Sequence, residues 1–123
     1  MAPENHPSER RAAVADLLGF TVPLSVSAAR LSAFGWDYDG DGVPCHAEHV
    51  VAALQRYLSD ELTAAEIEDW ANMIECREDV AIAGGSDGWT GETLHELANP
   101  VLFGGLSSER AGALLAALDT ARR

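Results

Sequence analysis

The sequence predicts an all-α fold, a single small domain of about five helices with a central αα-hairpin. Its 123 residues suit one compact domain, and 47% of them are hydrophobic, which is enough to build a core. Alanine is abundant, and glycine and proline stand mostly between apolar patches, which favours short helices over sheets. We therefore expect residues 1–123 to form one helical domain in which residues 1–7 are disordered.

The N-terminal part of the chain predicts two short helices and a connection between them. Ser8 can cap a first helix that Gly19 ends. The β-branched stretch FTVPLSV, interrupted by Pro23, indicates an extended connection. A short second helix is expected from Ser27 to just before Gly35.

Two amphipathic helices are predicted to form the central αα-hairpin, from roughly residue 45 to residue 78. In HAEHVVAALQRYLSD the apolar positions follow the helical period of 3.6, and they are Val50, Val51, Leu54, Tyr57 and Leu58. In LTAAEIEDWANMIECRED, Thr63 and Glu66 have the spacing of a capping box at a helix start. The buried face of this second helix is predicted to be Ile67, Trp70, Ala71 and Ile74.

Two further helices are predicted after a glycine-rich interruption, VAIAGGSDGWTGE. Thr90 can cap a helix that Pro100 terminates. Ser107 or Ser108 can cap the last helix. The apolar face of that helix is Ala111, Leu114, Leu115 and Leu118.

The net charge of −12 is concentrated in the middle of the chain, where residues 37–99 hold 15 acidic and two basic residues. A surface this acidic repels phosphate backbones, so we expect no binding of nucleic acid. It suits a cation or a basic protein partner, and the alternative explanation of the charge is solubility alone.

No membrane contact is expected, because no apolar run approaches the ~18 residues of a membrane span. The first 20 residues also lack the apolar segment of a signal peptide, so we expect a cytoplasmic protein. Cys45 and Cys76 are then expected as reduced thiols, although a bridge between them is also compatible with the sequence.

The most specific motif is the acidic stretch WDYDGDGVPCHAEHV at residues 36–50. It satisfies the spacing D-x-[DN]-x-[DN]-G-x5-E, in which alternating residues of a tight loop direct oxygen ligands at one cation. Gly42 permits the sharp turn because it has no Cβ. The candidate calcium ligands are the side chains of Asp37, Asp39, Asp41 and Glu48 and the backbone carbonyl of Val43.

On these residues the stretch resembles the EF-hand family, and DYDGDGVPC is similar to the DxDxDG loops of extracellular bacterial calcium-binding modules. The resemblance implies calcium binding, with a helix on each side of the loop. EF-hand loops normally join in pairs through backbone hydrogen bonds at the eighth loop position. That position is here Pro44, which has no N–H, and the chain contains no second loop. The alternative interpretation is an acidic turn in which Pro44 begins a helix.

A second binding surface is predicted on the acidic side of the helix that follows Thr63. Its candidate partner-binding residues are Glu66, Glu68, Asp69, Glu75, Glu78 and Asp79. In size and charge the chain is similar to bacterial immunity proteins and antitoxins, which mask basic toxin surfaces. This resemblance implies an inhibitor that meets its partner through opposite charge and needs no metal.

Two further possibilities concern transition metals and catalysis. Cys45, His46 and His49 lie together at a helix start and could hold zinc or copper with Cys76 or His95, although surface histidines are the simpler interpretation. The chain lacks the H-E-x-x-H motif of zinc hydrolases. We therefore expect a binding protein and not an enzyme.

Overall fold

A computed structural model describes residues 7–34, 42–83 and 88–121, and within these ranges the protein is mainly helical. Its elements, in chain order, are α1 (Pro7–Gly19), α2 (Leu24–Leu31), β1 (Val43–Cys45), α3 (Ala47–Leu58), α4 (Ala64–Glu75), β2 (Val80–Ile82), α5 (Trp89–Ala98), α6 (Pro100–Phe103) and α7 (Ser108–Ala121). The all-α class is thus confirmed in its main feature. No helix in these ranges is long and apolar enough to cross a membrane.

Three features of the helices differ from the prediction. Helix α2 begins directly after Pro23, so part of the expected extended connection is helical. Pro100 does not only end α5 but also opens the short helix α6, since proline fits the first turn of a helix. The central αα-hairpin is not confirmed, because α4 packs most extensively against α5 and less against α3. Of the residues expected to be disordered, Pro7 begins α1, and the others lie outside the described residues.

One hydrophobic core gathers buried side chains from every described helix except α6. Trp70 of α4 is fully buried, and its ring stacks on Phe20 with 6.4 Å between the ring centroids. Its indole N–H donates to the Leu17 carbonyl at 2.7 Å. The indole N–H of Trp89 likewise donates to the Leu114 carbonyl at 2.9 Å. Both rings therefore enter the core with their polar atom satisfied, which avoids the free-energy cost of an unpaired donor.

Helix α4 begins as its sequence predicts. The amide of Glu66 donates to Thr63 Oγ1 at 3.1 Å, and the Thr63 amide donates to the Glu66 carboxylate at 3.0 Å. Leu62 and Ile67, which flank this capping box, are both buried and form the hydrophobic staple that accompanies it. The start of α4 is thus fixed by local sequence alone.

Helix α3 begins with a histidine pair. The His46 amide donates to Nδ1 of His49 at 2.9 Å, and the two rings stack with 5.8 Å between their centroids. Nδ1 can accept this bond only while it carries no proton. Partial burial lowers the pKa of His49, the neighbouring His46 charge lowers it further, and Glu48 acts in the opposite direction.

Strands β1 and β2 form a two-stranded parallel sheet that the sequence analysis did not predict. Val43 pairs with Val80, Pro44 with Ala81 and Cys45 with Ile82. The strands are joined by α3 and α4, because parallel strands need a long crossover connection. The sheet therefore ties the chain that precedes α3 to the chain that follows α4.

A buried ion network lies where β2 begins. Asp79 is 1% exposed, and its carboxylate accepts hydrogen bonds from Arg10 of α1 and from Arg77, each at 2.8 Å. Arg10 also donates to the Phe34 carbonyl at 3.1 Å. Burial by itself would raise the pKa of Asp79, but the hydrogen bonds from Arg77 and Arg10 outweigh it and hold that pKa below its usual range. The network joins α1, the end of α2 and the turn before β2.

Replacing Asp79 with asparagine should lower the free energy of unfolding by about 3–5 kcal/mol, because two buried arginines would lose the carboxylate that they share. Urea denaturation at pH 7 measures the loss. The matched control is Asp69→Asn, which removes the same charge from an exposed site and should change stability by less than about 0.5 kcal/mol. Equal stabilities of the two variants would refute the role assigned to this network.

We expect the start of α3 to become less stable as the pH is lowered. Because the folded pKa of His49 lies below the ordinary value of 6.5, the unfolded chain takes up the proton first. The contribution of His49 is therefore complete above about pH 6.5 and is lost as the pH falls. Urea denaturation at pH 7.5 and pH 5.5 tests this against His49→Gln, whose amide oxygen can accept the same bond without titrating. The wild type should lose more stability than the variant, and equal losses would contradict the prediction.

Candidate functional site

The predicted calcium loop is described only in its second half. Asp37, Asp39 and Asp41 lie outside the described residues. Val43 opens β1, and Glu48 lies in the first turn of α3 with an exposed side chain. The chain thus passes directly from a strand into the helix that carries the last predicted ligand, and Pro44 lies in the strand and does not begin a helix.

The geometry of β1 gives the backbone of Val43 partners in the sheet. The Val43 amide donates to the Asp79 carbonyl at 2.7 Å, so the polar backbone groups of Val43 face β2. The N–H and C=O of one strand residue point to the same side, and the parallel register places the Val43 carbonyl opposite the Ala81 amide. One lone pair of this carbonyl is thus engaged in the sheet, and the second leaves its role as a calcium ligand as a prediction.

Pro44 is compatible with strand pairing for the same reason. The bonds to β2 come from its neighbours: Val43 donates to Asp79, and the Ala83 amide donates to the Cys45 carbonyl at 3.0 Å. The backbone groups of Pro44 point away from β2, so its missing N–H breaks no hydrogen bond between the two strands. Pro44 therefore does not prevent the loop from pairing with another strand, and the strand with which it pairs is β2.

Gly42 joins the loop closely to β2. A Cβ at this position would lie 2.8 Å from the Ala81 nitrogen and 2.9 Å from the Val80 carbonyl carbon. Real Cβ atoms essentially never approach a backbone so closely, so any side chain here would push the two strands apart. Close approach of two strands is thus a reason for glycine at this position in addition to the turn predicted from sequence.

The structure does not bring the cysteines and histidines together as a transition-metal site. Cys45 is fully buried, and burial raises the pKa of its thiol to about 11, which disfavours the thiolate that binds a metal. Both cysteines are free thiols, and Cys76 is exposed while Cys45 is not. No group of three or more Cys, His, Asp or Glu side chains converges among the residues that the structure describes.

The predicted acidic face divides into two edges of α4. Glu68 and Glu75 are two helical turns apart on the edge that faces α5, where the Glu75 carboxylate lies 3.5 Å from Nδ1 of His95. Glu66 and Asp69 are exposed on the other edge, and Glu78 is exposed in the turn that follows α4. These five acids are open to solvent to differing degrees.

Asp79 is an exception to the predicted acidic face. Its carboxylate is buried and binds two arginines, so a surface partner cannot reach it in the folded chain. The sequence placed it beside exposed acids because a charged residue is exposed by default. A nearby arginine two residues earlier, Arg77, was the one local signal of pairing.

A surface groove lies between α4, α5 and the segment from α6 to Leu106, and it was not predicted. Its cavity volume is about 190 Å³. Ile67 and Leu97 form its apolar floor, and Glu68 and Glu96 lie at its edge. The one sign of this groove in the sequence was the apolar run PVLF, which belongs to neither of the amphipathic helices predicted on its two sides.

Comparison with models of protein families, with curated proteins and with solved structures finds no match to this chain. Functional inference therefore depends on the chemistry of the loop, the acidic edges and the groove.

Proposed function

We propose that this chain is a non-enzymatic acidic binding protein that holds one calcium ion in the loop 37–48. The observation that carries the proposal is the order of elements at the end of the loop. Strand β1 is followed at once by α3, whose first turn presents the exposed Glu48 at the spacing required of the last ligand. Pairing of β1 with β2 supports it further, since β2 supplies the contact that a second loop usually provides.

The proposed ligands are four carboxylates. Asp37, Asp39 and Asp41 would each give one oxygen, and Glu48 would give two if it binds bidentately. Calcium takes six to eight oxygen ligands, so one to three water molecules would complete the shell. Because the Val43 carbonyl is also bonded to β2, we expect weak binding, with a dissociation constant on the order of 10⁻⁴ to 10⁻³ M.

Calcium titration of the metal-free protein by calorimetry tests the proposal, with the fluorescence of Trp36 as a second signal beside the loop. The wild type should bind one ion, and the double variant Asp37→Ala, Glu48→Ala should not. A control with Glu109→Ala and Asp119→Ala removes the same charge from exposed sites on α7 and should bind as the wild type does. No response of the wild type at ~10 mM calcium would refute the proposal, because even weak EF-hand modules bind below that concentration.

A second candidate function is the inhibition of a basic protein partner, in the manner of an immunity protein or antitoxin, without metal. It is favoured by how the described arginines are distributed. Arg30 pairs with Asp16, Arg56 with Glu61 and Arg110 with Glu96, each at 2.6–3.0 Å, while two more arginines bind Asp79. In the described ranges, none of these ion pairs uses the four acids Glu66, Glu68, Asp69 and Glu78. Their charge is left for an external cation.

Salt-dependent retention of proteins on the immobilised chain tests this candidate. A true partner should be basic and should elute between about 0.1 M and 1 M salt, since exposed charge pairs are screened over that range. Retention should weaken in either of two double variants, Glu68→Gln with Glu75→Gln or Glu66→Gln with Asp69→Asn. Glutamine in place of Glu66 can still form the capping box, so the start of α4 is preserved. A partner that is acidic, or that is held equally in 1 M salt, would count against this function.

A further inference from the structure

We propose that the groove beside α6 docks a large apolar side chain from a basic helical segment of another protein. The inference rests on the second candidate function, to which it adds an apolar anchor, and it is independent of the calcium loop. Three consecutive side chains, here named the α6 ridge, carry it: Val101, Leu102 and Phe103.

The α6 ridge is the largest exposed apolar feature among the described residues. Val101 is 96% exposed, Leu102 70% and Phe103 48%, and the other exposed large apolar side chains, Val26, Leu58 and Ile82, lie apart from one another in the sequence. Single exposed apolar residues are ordinary, whereas a contiguous patch beside a concavity is typical of an interaction site. The ridge therefore points to a surface that is covered in a complex.

The groove beside the ridge has the size and lining for one side chain. Its volume of about 190 Å³ exceeds the roughly 150 Å³ of a cavity that holds a benzene ring. Pro100, Phe103 and Leu106 form one wall above the floor of Ile67 and Leu97. A leucine or phenylalanine inserted here would be surrounded by apolar atoms, as interface anchors are.

The wall of the groove is held in place by contacts on its far sides. The ring of Phe103 meets His95 edge-on with 5.8 Å between centroids, and the Tyr57 hydroxyl donates to the Leu106 carbonyl at 3.4 Å. Gly104 and Gly105 have φ values of 93° and 83°, which other residues rarely adopt, so the chain can turn sharply after the ridge. The groove is consequently formed before any partner arrives.

Charge selects a basic partner over a second copy of this chain. Glu96 at the groove edge is already paired with Arg110 through two bonds of 2.6 Å, whereas Glu68 makes no ion pair within the described ranges. A lysine or arginine one helical turn from the apolar anchor could reach Glu68. Two copies of a chain with net charge −12 would instead repel each other.

Fluorescence anisotropy with two labelled peptides of about 18 residues tests the inference. Both carry leucine at helical spacing, one with lysine and the other with glutamate at the remaining positions. The wild type should bind the lysine peptide and not the glutamate peptide. Phe103→Ser should weaken binding of the lysine peptide by about tenfold or more, because it removes the ridge side chain that lines the groove.

Matched controls separate the groove from the general acidity of α4. Val26→Ser removes an exposed apolar side chain elsewhere and should leave the affinity unchanged. Glu68→Gln should weaken binding more than Asp69→Asn, although each variant removes one charge from neighbouring positions on α4. Phe103 is 48% and Val26 42% exposed in the folded chain, so circular dichroism should show all variants folded.

Each contrary outcome has a distinct meaning. Binding of the lysine peptide that Phe103→Ser leaves intact, with equal effects of the Glu68 and Asp69 variants, overturns the groove but leaves the acidic-surface function standing. Failure of the lysine peptide to bind at low salt overturns both. Equal binding of the glutamate peptide overturns the charge selection. A wild-type dimer in sedimentation velocity that Leu102→Ser converts to a monomer assigns the ridge to a second copy and overturns the inference.

Discussion

The position of β1 depends on Asp79 through two independent sets of bonds. The Asp79 carboxylate binds Arg10 of α1 and Arg77, while its backbone carbonyl accepts the Val43 amide at 2.7 Å. One residue thus joins the first helix, the turn after α4 and the strand that ends the acidic loop. A buried charge of this kind is tolerated only when it is fully paired, so the network constrains all three segments at once.

The consequence for the loop follows from strand geometry. Because Val43 bonds to β2 through both of its polar backbone groups, the residues on either side are fixed in direction. Gly42 must pass close to Ala81, and α3 begins two residues after β1 with Glu48 exposed in its first turn. A single loop can therefore be held at its C-terminal end without a twin. Preorganisation of this end reduces the entropic cost of ordering the loop around an ion.

The sequence predicted what local patterns encode. The 3.6-residue periodicity located α3, α4 and α7, and the Thr63–Glu66 capping box set the first residue of α4. The sheet was missed because three-residue strands are too short to show an alternating pattern. The burial of Asp79 was missed because its partner Arg10 lies 69 residues away. The predicted loop spacing is complete in sequence, but the direction of the Val43 carbonyl depends on β2, which no local pattern announces.

The chain's charge is more uneven in space than in sequence. Asp79 lies between two arginines in the interior, so these two positive charges are buried and do not offset the acids of the surface. Three more arginines are bound to acids outside the α4 edges. These arginines are thus paired with acids elsewhere, and α4 stays acidic beside the apolar groove. In the part of the chain that the structure describes, acids without an ion pair lie next to an exposed apolar ridge, and the proposed surface would select its partner by charge and hold it by apolar contact.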